Sequence, residues 1–332
     1  AVSASSRPKI VVATNVAETS ITIDGVTLVI DSGLERRSSF DHRRGITTLH
    51  LEKISQASAD QRAGRAGRTS AGTAIRLWSE RDHQSRPLTS LAEIHRMDLS
   101  EALLILSSSG IEDTRSFRWF DTPDRLAIEE AYHRLKTLGT LDEKDHLTQL
   151  GQKVSQLPVP PRFGRILVEA LSKGCLHYVA LVTAMTQARS LFPKQKRNTD
   201  HLMPENFSQK GDFSDFQPLV RAWLQMQQNG YRKDLGERLG IHSGAAREVG
   251  RIAEQLVRIA SRWEESPPSS EQEPDAEMLG RILLTGFSDR LALRHNANTR
   301  TCAVISGRRG QIEKESIACD KETPLFIAGE RI

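Results

Sequence analysis

The sequence predicts an α/β domain that is followed by helical domains and a small β-rich region. Residues 9–13 and 26–30 are short, continuous apolar runs, which fit strands buried on both faces of a parallel sheet. From residue 94 to about residue 263, apolar residues recur at helical spacing. Short apolar runs return near the carboxyl end and predict a few further strands.

Polar side chains follow the first predicted strand. They are Thr14, Asn15, Glu18, Thr19 and Ser20. Open α/β sheets place their ligands at the carboxyl ends of strands, and hydroxyl and amide groups there can bond a sugar-phosphate backbone without reading sequence. The alternative interpretation is a loop that is rich in helix-capping residues.

A β-hairpin is predicted next in the chain. Residues 34–40 and 46–53 flank the segment 41–45, and the apolar positions in the second arm alternate with polar ones. The predicted tip carries Arg43 and Arg44. These arginines fit either a nucleic-acid contact or the charge that keeps an edge hairpin soluble. Residues 74–78 predict a last strand of the α/β domain.

The run Gln-Arg-Ala-Gly-Arg-Ala-Gly-Arg at residues 61–68 has three arginines at a spacing of three. On a helix, Gln61, Arg65 and Arg68 would share one face at i, i+4 and i+7, and Arg62 would lie off it. The two glycines cost about 1 kcal/mol each relative to alanine, which indicates a close approach by another backbone or a ligand. Crowded guanidinium groups favour a bound phosphate, although a solvated basic helix that holds nucleic acid loosely is the alternative.

A winged-helix domain is predicted over residues 83–158. A helical run that ends at Gly110 precedes a second helix at 124–138, a compact hairpin at 141–147 and a third helix capped by Thr148. A winged helix either reads a DNA groove or serves as a packing element. The second helix balances three basic residues with three acidic ones, which favours packing.

Residues 159–263 predict a helical bundle, with amphipathic segments at 165–172, 178–189, 213–228 and 245–262. An acidic, proline- and serine-rich run at 264–277 predicts a disordered linker. The last region, 278–332, predicts a helix at 279–287 and strands at 291–294, 302–306 and 324–328.

Composition fits a globular chain of two to four domains, with 332 residues, 38% hydrophobic and 27% charged residues. No apolar run approaches the ~20 residues of a membrane span, and no signal peptide is evident at the first residues. The first residue is not Met, which indicates a cut through a larger protein. The three cysteines, Cys175, Cys302 and Cys319, lack metal-ligand spacing and predict reduced thiols in a cytoplasmic protein.

Positive charge is concentrated in one segment. Residues 32–68 contain eight Lys or Arg and four Asp or Glu, so their excess of +4 equals the net charge of the whole chain. This concentration predicts a polyanionic partner. No metal site is expected, because the scattered histidines have no second ligand at usable spacing.

Residues 9–25 and 61–68 resemble motifs V and VI of the DEAH-box helicases of superfamily 2. Residues 31–36 and 76–80 are similar to the bacterial HrpB type. The resemblance implies that residues 1–82 form the C-terminal part of a RecA-like second motor domain. It further implies a winged helix that packs between domains, a ratchet-like bundle and, at 278–332, an incomplete OB-like domain for single strands.

The resemblance also implies roles for individual residues. Gln61 would position the attacking water, and Arg65 and Arg68 would neutralise charge on the γ-phosphate of ATP. The implied nucleotide-binding residues are Asp24, Gly64, Arg65 and Arg68. The implied nucleic-acid contacts are Thr14, Asn15, Thr19, Arg36, Arg37, Arg43 and Arg44.

The sequence contains no Gly-x-x-x-x-Gly-Lys-Ser/Thr loop and no Asp-Glu-Ala-His motif. The chain is therefore expected to carry half of an ATP site, with the Mg²⁺ ligands in a missing N-terminal RecA-like domain. The expected function is the C-terminal part of an ATP-dependent RNA helicase that acts on single-stranded RNA or DNA and does not hydrolyse ATP by itself. The competing function is a non-catalytic fragment that binds nucleic acid or a protein partner.

Overall fold

The computed structural model describes residues 9–19, 24–41, 46–192, 204–263, 273–296, 299–305, 307–314, 316–319 and 325–328. The chain divides into two compact units. The first contains the residues up to 99 together with 118–127, and the second contains 100–117 and the residues from 128 onward.

The first unit combines two small sheets with short helices. Strand β1 pairs with β4 in parallel, and β2 pairs with β3 antiparallel. The elements are α1 (Val16–Thr19), β1 (Leu28–Asp31), β2 (Leu34–Asp41), β3 (Ile46–Lys53), α2 (Gln56–Ala63), β4 (Thr73–Arg76) and α3 (Glu80–Gln84).

The strand predicted at residues 9–13 is wrong. These residues lack strand structure, and Ile10 and Val12 are 95% and 94% exposed. A strand needs a neighbour that accepts and donates its backbone hydrogen bonds. Within the described chain, β1 pairs with β4 alone.

The predicted burial of this sheet on both faces is also wrong, because α2 packs against β1 while large apolar side chains stay exposed. The exposed positions are Leu28, Ile30, Ile75 and Leu77.

The predicted hairpin is confirmed. Its register runs from Leu34 opposite Lys53 to Asp41 opposite Ile46. The predicted tip, with Arg43 and Arg44, lies outside the described residues.

A buried arginine ties the base of the hairpin to α3. The Arg86 guanidinium lies 4.3 Å from the centre of the Trp78 ring and donates to the Gly33 carbonyl oxygen at 2.8 Å. It also donates to the Asp82 carboxylate at 2.7 Å. Hydrogen bonds from Lys53 and Arg86 lower the pKa of Asp82. Arg86 thus bonds both the residue before the hairpin, Gly33, and helix α3.

The second unit begins with the predicted helix, helix, hairpin and helix. The helices are α4 (Ser100–Ser108), α5 (Arg125–Thr137) and α6 (Gln149–Val154), and Leu141 pairs with Leu147 in the hairpin. The Thr148 hydroxyl accepts a hydrogen bond from the Gly151 amide at 3.0 Å, which confirms the predicted cap. The first helix starts at Ser100, later than the apolar pattern indicated.

Basic residues of this region bond within the unit. Arg134 Nε donates to the Ser100 hydroxyl at 3.1 Å, and Lys136 Nζ lies 2.7 Å from an Asp145 oxygen. Arg115 lies over the Tyr132 ring and bonds to Glu129, and this hydrogen bond raises the pKa of Arg115. Arg134 and Lys136, two of the three basic residues of α5, thus bond within the unit, and the packing interpretation of the winged helix stays a prediction.

The helical bundle follows, and its helices share one apolar core. The elements are α7 (Pro161–Ser172), α8 (Leu176–Gln187), α9 (Phe216–Gln228), α10 (Lys233–Leu239) and α11 (Ser243–Ala260). Sequence analysis missed α10, which has only 7 residues and a largely polar composition.

The described residues of the last region form an α-helix and a sheet with the order β7-β6-β5-β8, antiparallel throughout. Its elements are α12 (Ala276–Phe287), β5 (Leu291–Arg294), β6 (Thr301–Val304), β7 (Arg309–Gln311) and β8 (Leu325–Ile327). Helix α12 starts inside the predicted linker 264–277, because Asp275 caps it by accepting from the Met278 amide at 2.8 Å. Residues 264–272 of that linker lie outside the described residues.

No helix in the described ranges combines the length and the apolar character that crossing a bilayer requires.

Two glycines inside helices predict opposite effects of the same substitution. A Cβ on Gly151 would lie 2.1 Å from the Thr140 carbonyl oxygen, whereas a Cβ on Gly280 would meet nothing within 4 Å. We expect Gly151→Ala to lower the free energy of unfolding by about 1–3 kcal/mol through overpacking. Gly280→Ala should raise it by about 0.5–1 kcal/mol. Urea unfolding followed by circular dichroism measures both, and equal effects would contradict the close approach at Gly151.

Candidate functional site

The loop predicted to contact nucleic acid forms the start of α1. The Ala17 amide donates to the Thr14 carbonyl at 3.1 Å, and the Glu18 amide donates to the Asn15 carbonyl at 3.0 Å. Thr14 and Asn15 are exposed. Thr19 is the last residue of α1, and its side chain lies outside the described atoms. Two of the three predicted contacts in this loop are therefore accessible.

The arginine run does not continue α2 as a helix. Helix α2 ends at Ala63 with Gly64 as its C-cap. The Arg65 amide then bonds the Arg62 carbonyl at 3.1 Å, so the bonding changes from i−4 to i−3. The prediction that Gln61, Arg65 and Arg68 share one helical face is therefore wrong, because the tighter turn rotates the later residues.

Arg65 nevertheless contacts the predicted nucleic-acid loop. Its Nη2 donates a hydrogen bond to the backbone oxygen of Glu18. Arg65 is half-buried, whereas Gln61, Gly64 and Arg68 are exposed.

Arg62 has the most extensive contacts of the run. Its Nε donates to Glu18 Oε2 at 3.0 Å, and its Nη1 donates to Asp31 Oδ1 and to the Leu34 carbonyl, each at 3.1 Å. The side chains of Arg62, Glu18 and Asp31 are 13%, 12% and 8% exposed. Sequence analysis did not pair these residues. The available signal was an aspartate that ends an apolar strand, where a charge needs a partner.

The hairpin arginines differ from each other. Arg36 is exposed, whereas Arg37 forms an ion pair with Glu35 and donates to the Ser90 hydroxyl at 3.0 Å. Neighbouring residues of a strand point to opposite faces, which explains the difference. Arg36 is therefore the more accessible of the two predicted contacts.

A cavity of about 510 Å³ lies beside Arg37 at the start of α2. Its lining includes Lys53, Ser55, Ser90 and Asp121. Both cations of the lining, Arg37 and Lys53, already form ion pairs, with Glu35 and Asp82, so this cavity adds little net attraction for a polyanion.

The other predicted nucleotide contact, Asp24, lies in an exposed turn before β1. The remaining predicted nucleotide-binding residues, Gly64, Arg65 and Arg68, all belong to the arginine run. Across the described ranges, no group of three or more His, Cys, Asp or Glu residues could hold a metal ion. Cys175 and Cys302 are buried free thiols, and burial raises the pKa of Cys175.

Three helicase domain models match parts of this chain. Residues 3–70 match the helicase conserved C-terminal domain, 131–159 the winged-helix part of the helicase associated domain HA2, and 160–217 its ratchet-like part. The crystal structure of the Escherichia coli DEAH/RHA helicase HrpB superposes on 95% of this chain with a TM-score of 0.69 and 26% identity. The chain belongs to the DEAH-box helicases.

Two curated members of the family align with 86% of the chain. The pre-mRNA-splicing factor ATP-dependent RNA helicase prp22 of Schizosaccharomyces pombe is 30% identical, and the ATP-dependent RNA helicase HrpA homolog of Haemophilus influenzae is 33% identical. The chain spans 24% and 23% of these DEAH-box relatives and 34% of the HrpB chain.

The contacts of Arg62 predict a structural role that Arg68 lacks. Arg62→Gln leaves the buried Asp31 and the nearly buried Glu18 carboxylates without their cation, and breaking a buried ion pair costs about 3–5 kcal/mol. Arg68 is exposed, so Arg68→Gln should change the free energy of unfolding by less than about 0.5 kcal/mol. Thermal and urea unfolding of the two variants measure the difference. Equal stability would mean that the Glu18, Arg62 and Asp31 cluster contributes nothing to the fold.

Proposed function

We propose that the chain is the C-terminal part of an ATP-dependent RNA helicase and contributes half of its ATP site. The observation that carries the proposal is the contact between the arginine run and the loop of residues 14–19, because Arg62 and Arg65 both bond Glu18. A nucleotide-contacting segment and a nucleic-acid-contacting segment are thereby adjacent. The printed names of the relatives, which are ATP-dependent RNA helicases, support the same reading.

In this proposal, the arginines act on the charge that develops during phosphoryl transfer. Arg65 and Arg68 neutralise the γ-phosphate oxygens, and Gln61 orients the attacking water. Gly64 brings the backbone close to the phosphates, and Asp24 contacts the ribose. Mg²⁺ and the phosphate cradle come from a RecA-like domain with a Gly-x-x-x-x-Gly-Lys-Ser/Thr loop, a motif that this sequence does not contain.

The RNA contacts in this proposal come from two elements. Thr14, Asn15 and Thr19 bond the sugar-phosphate backbone, and the hairpin adds charge through Arg36 and Arg37. Arg43 and Arg44 would extend the same surface. Contacts of this kind fix a strand in place without selecting a sequence.

We further propose domain limits at 1–82 for the RecA-like part, 83–158 for the winged helix and 159–263 for the ratchet-like bundle. The linker 264–277 and the OB-like region 278–332 complete the arrangement. We propose a cytoplasmic location for the protein.

The second candidate is a fragment that binds nucleic acid or a protein partner without chemistry. The missing phosphate-binding loop favours it for the isolated chain. Sequencing the gene upstream decides between the two, because a phosphate-binding loop within the preceding few hundred codons favours the helicase.

Substitution of the arginines in a full-length protein tests the ATP site. Arg65→Ala and Arg68→Ala should reduce ATP turnover by roughly 10³–10⁵-fold and leave RNA affinity unchanged, because these charges matter most in the transition state. Lysine should rescue poorly, since a point charge cannot replace the planar guanidinium. Single-turnover hydrolysis and RNA binding are measured for each variant. A loss of RNA affinity in proportion to turnover would identify the run as a nucleic-acid surface instead.

The isolated chain tests the nucleic-acid surface separately. It should bind single-stranded RNA weakly, with a log–log salt slope of about −0.7 for each phosphate contact. Arg36→Ala should make that slope shallower by about 0.7, the contribution of one phosphate contact. The isolated chain should not hydrolyse ATP. Fluorescence anisotropy at salt concentrations from about 50 to about 300 mM gives the slope. A salt-independent affinity or a preference for one duplex sequence would contradict the proposal.

A further inference from the structure

The hairpin of β2 and β3 is two-stranded within the part of the chain that the structure describes. A two-stranded hairpin is only marginally stable in water, so its placement depends on contacts with its surroundings. The Ile54 amide bonds the Gly33 carbonyl at 3.1 Å, and in an antiparallel pair every second residue pair is hydrogen-bonded in this way. The even-numbered residues of β2 therefore direct their backbone groups away from β3, to an outer edge.

Arg96 bonds this outer edge twice. Its backbone carbonyl accepts from the Phe40 amide at 2.7 Å, and its Nη1 donates to the Ser38 carbonyl at 2.9 Å. The Arg96 side chain is 25% exposed, so water competes less for this charge-assisted bond than it would at the open surface. One residue thus takes the place that a third strand would have.

Arg36, a predicted RNA contact, lies on the same edge two residues before Ser38, and it is exposed. On its other side, the Leu34 carbonyl accepts from Arg62 Nη1 at 3.1 Å. Arg36 is therefore held between two positions of β2 that are each fixed by an arginine. Its own side chain is left accessible to a ligand.

The segment that leads to Arg96 is anchored at the start of α2. The Pro87 carbonyl accepts from the Gln56 amide at 2.9 Å, and the Leu88 carbonyl accepts from the Ala57 amide at 3.0 Å. These amides belong to the first turn of α2, where the helix itself offers them no acceptor. Arg96 therefore ties the hairpin to a segment that is itself bonded to the body of the first unit.

We propose that Arg96 is a positioning residue for nucleic-acid binding by the hairpin, because it fixes the outer edge of β2 and so holds Arg36 where its guanidinium meets a phosphate. This inference rests on the proposed function, in which Arg36 contacts RNA. Arg96 acts through the Ser38 carbonyl and does not itself touch RNA. Without this bond, β2 must be ordered at each binding event, and that ordering reduces affinity.

A double-mutant cycle in a full-length protein tests this role. Arg96→Gln places a shorter, uncharged side chain opposite Ser38, and Arg36→Ala removes the proposed contact. Arg76→Gln is the matched control. Arg76 belongs to the same unit and is 30% exposed, close to the 25% of Arg96, but it pairs with Asp60 of α2 instead of the hairpin.

Affinity for single-stranded RNA is measured by fluorescence anisotropy without nucleotide. Arg36→Ala and Arg96→Gln should each lower it at least about fivefold, and each should make the salt slope shallower by about 0.7. The double variant should lose no more than about twofold beyond either single variant, since residues that act through one another are not additive. Independent effects would multiply to at least about 25-fold. Arg76→Gln should stay within about twofold of the wild-type affinity.

A wild-type affinity in Arg96→Gln would overturn the inference, and so would multiplied losses in the double variant or an equal loss in Arg76→Gln. Circular dichroism and urea unfolding establish that each variant is folded. If Arg96→Gln does not fold, Arg96→Lys replaces it in the cycle and must show the same non-additive loss, because lysine keeps the charge but lacks the planar guanidinium. If Arg36→Ala alone leaves RNA affinity and salt slope unchanged, the proposed RNA contact of the hairpin is wrong instead.

Discussion

The nearly buried cluster of Glu18, Arg62 and Asp31 is the interaction on which the arrangement of the first unit depends. One guanidinium serves a one-turn helix, the end of a strand and a backbone carbonyl at the start of the hairpin. Desolvating these charges is costly, and the cost is offset only while all partners stay in place. The cluster therefore fixes the end of α2, from which the rest of the arginine run extends.

Within the run, neighbouring arginines have separate tasks because their environments differ. Arg62 is enclosed and bonded on several sides, whereas Arg68 is exposed. Arg65 is intermediate, since it is half-buried and reaches the backbone of α1. Arg62 thus stabilises the fold, whereas Arg65 and Arg68 are accessible enough to bind a phosphate.

Local patterns predicted much of the fold and less of the site. The hairpin, the Thr148 cap and most helices followed from alternation, capping residues and apolar spacing, which act over a few residues. The strand at 9–13 failed because strand formation depends on a distant partner. The shared face of Gln61, Arg65 and Arg68 failed because α2 ends at Ala63 and the backbone bonding after it tightens from i−4 to i−3. Glu18 and Asp31 were missed as partners of Arg62, since 44 and 31 residues separate them in sequence.

The exposed apolar face of β1 and β4 has a consequence for solubility. Leu28, Ile30, Ile75 and Leu77 are 50%, 62%, 44% and 63% exposed, and in the described part of the chain each of the two strands is paired on one edge only. Contiguous apolar surface beside an open sheet edge promotes self-association. A preparation of this chain alone is therefore expected to aggregate through this face as its concentration rises. Charged substitutions at Ile30 and Ile75 would keep such a preparation dispersed.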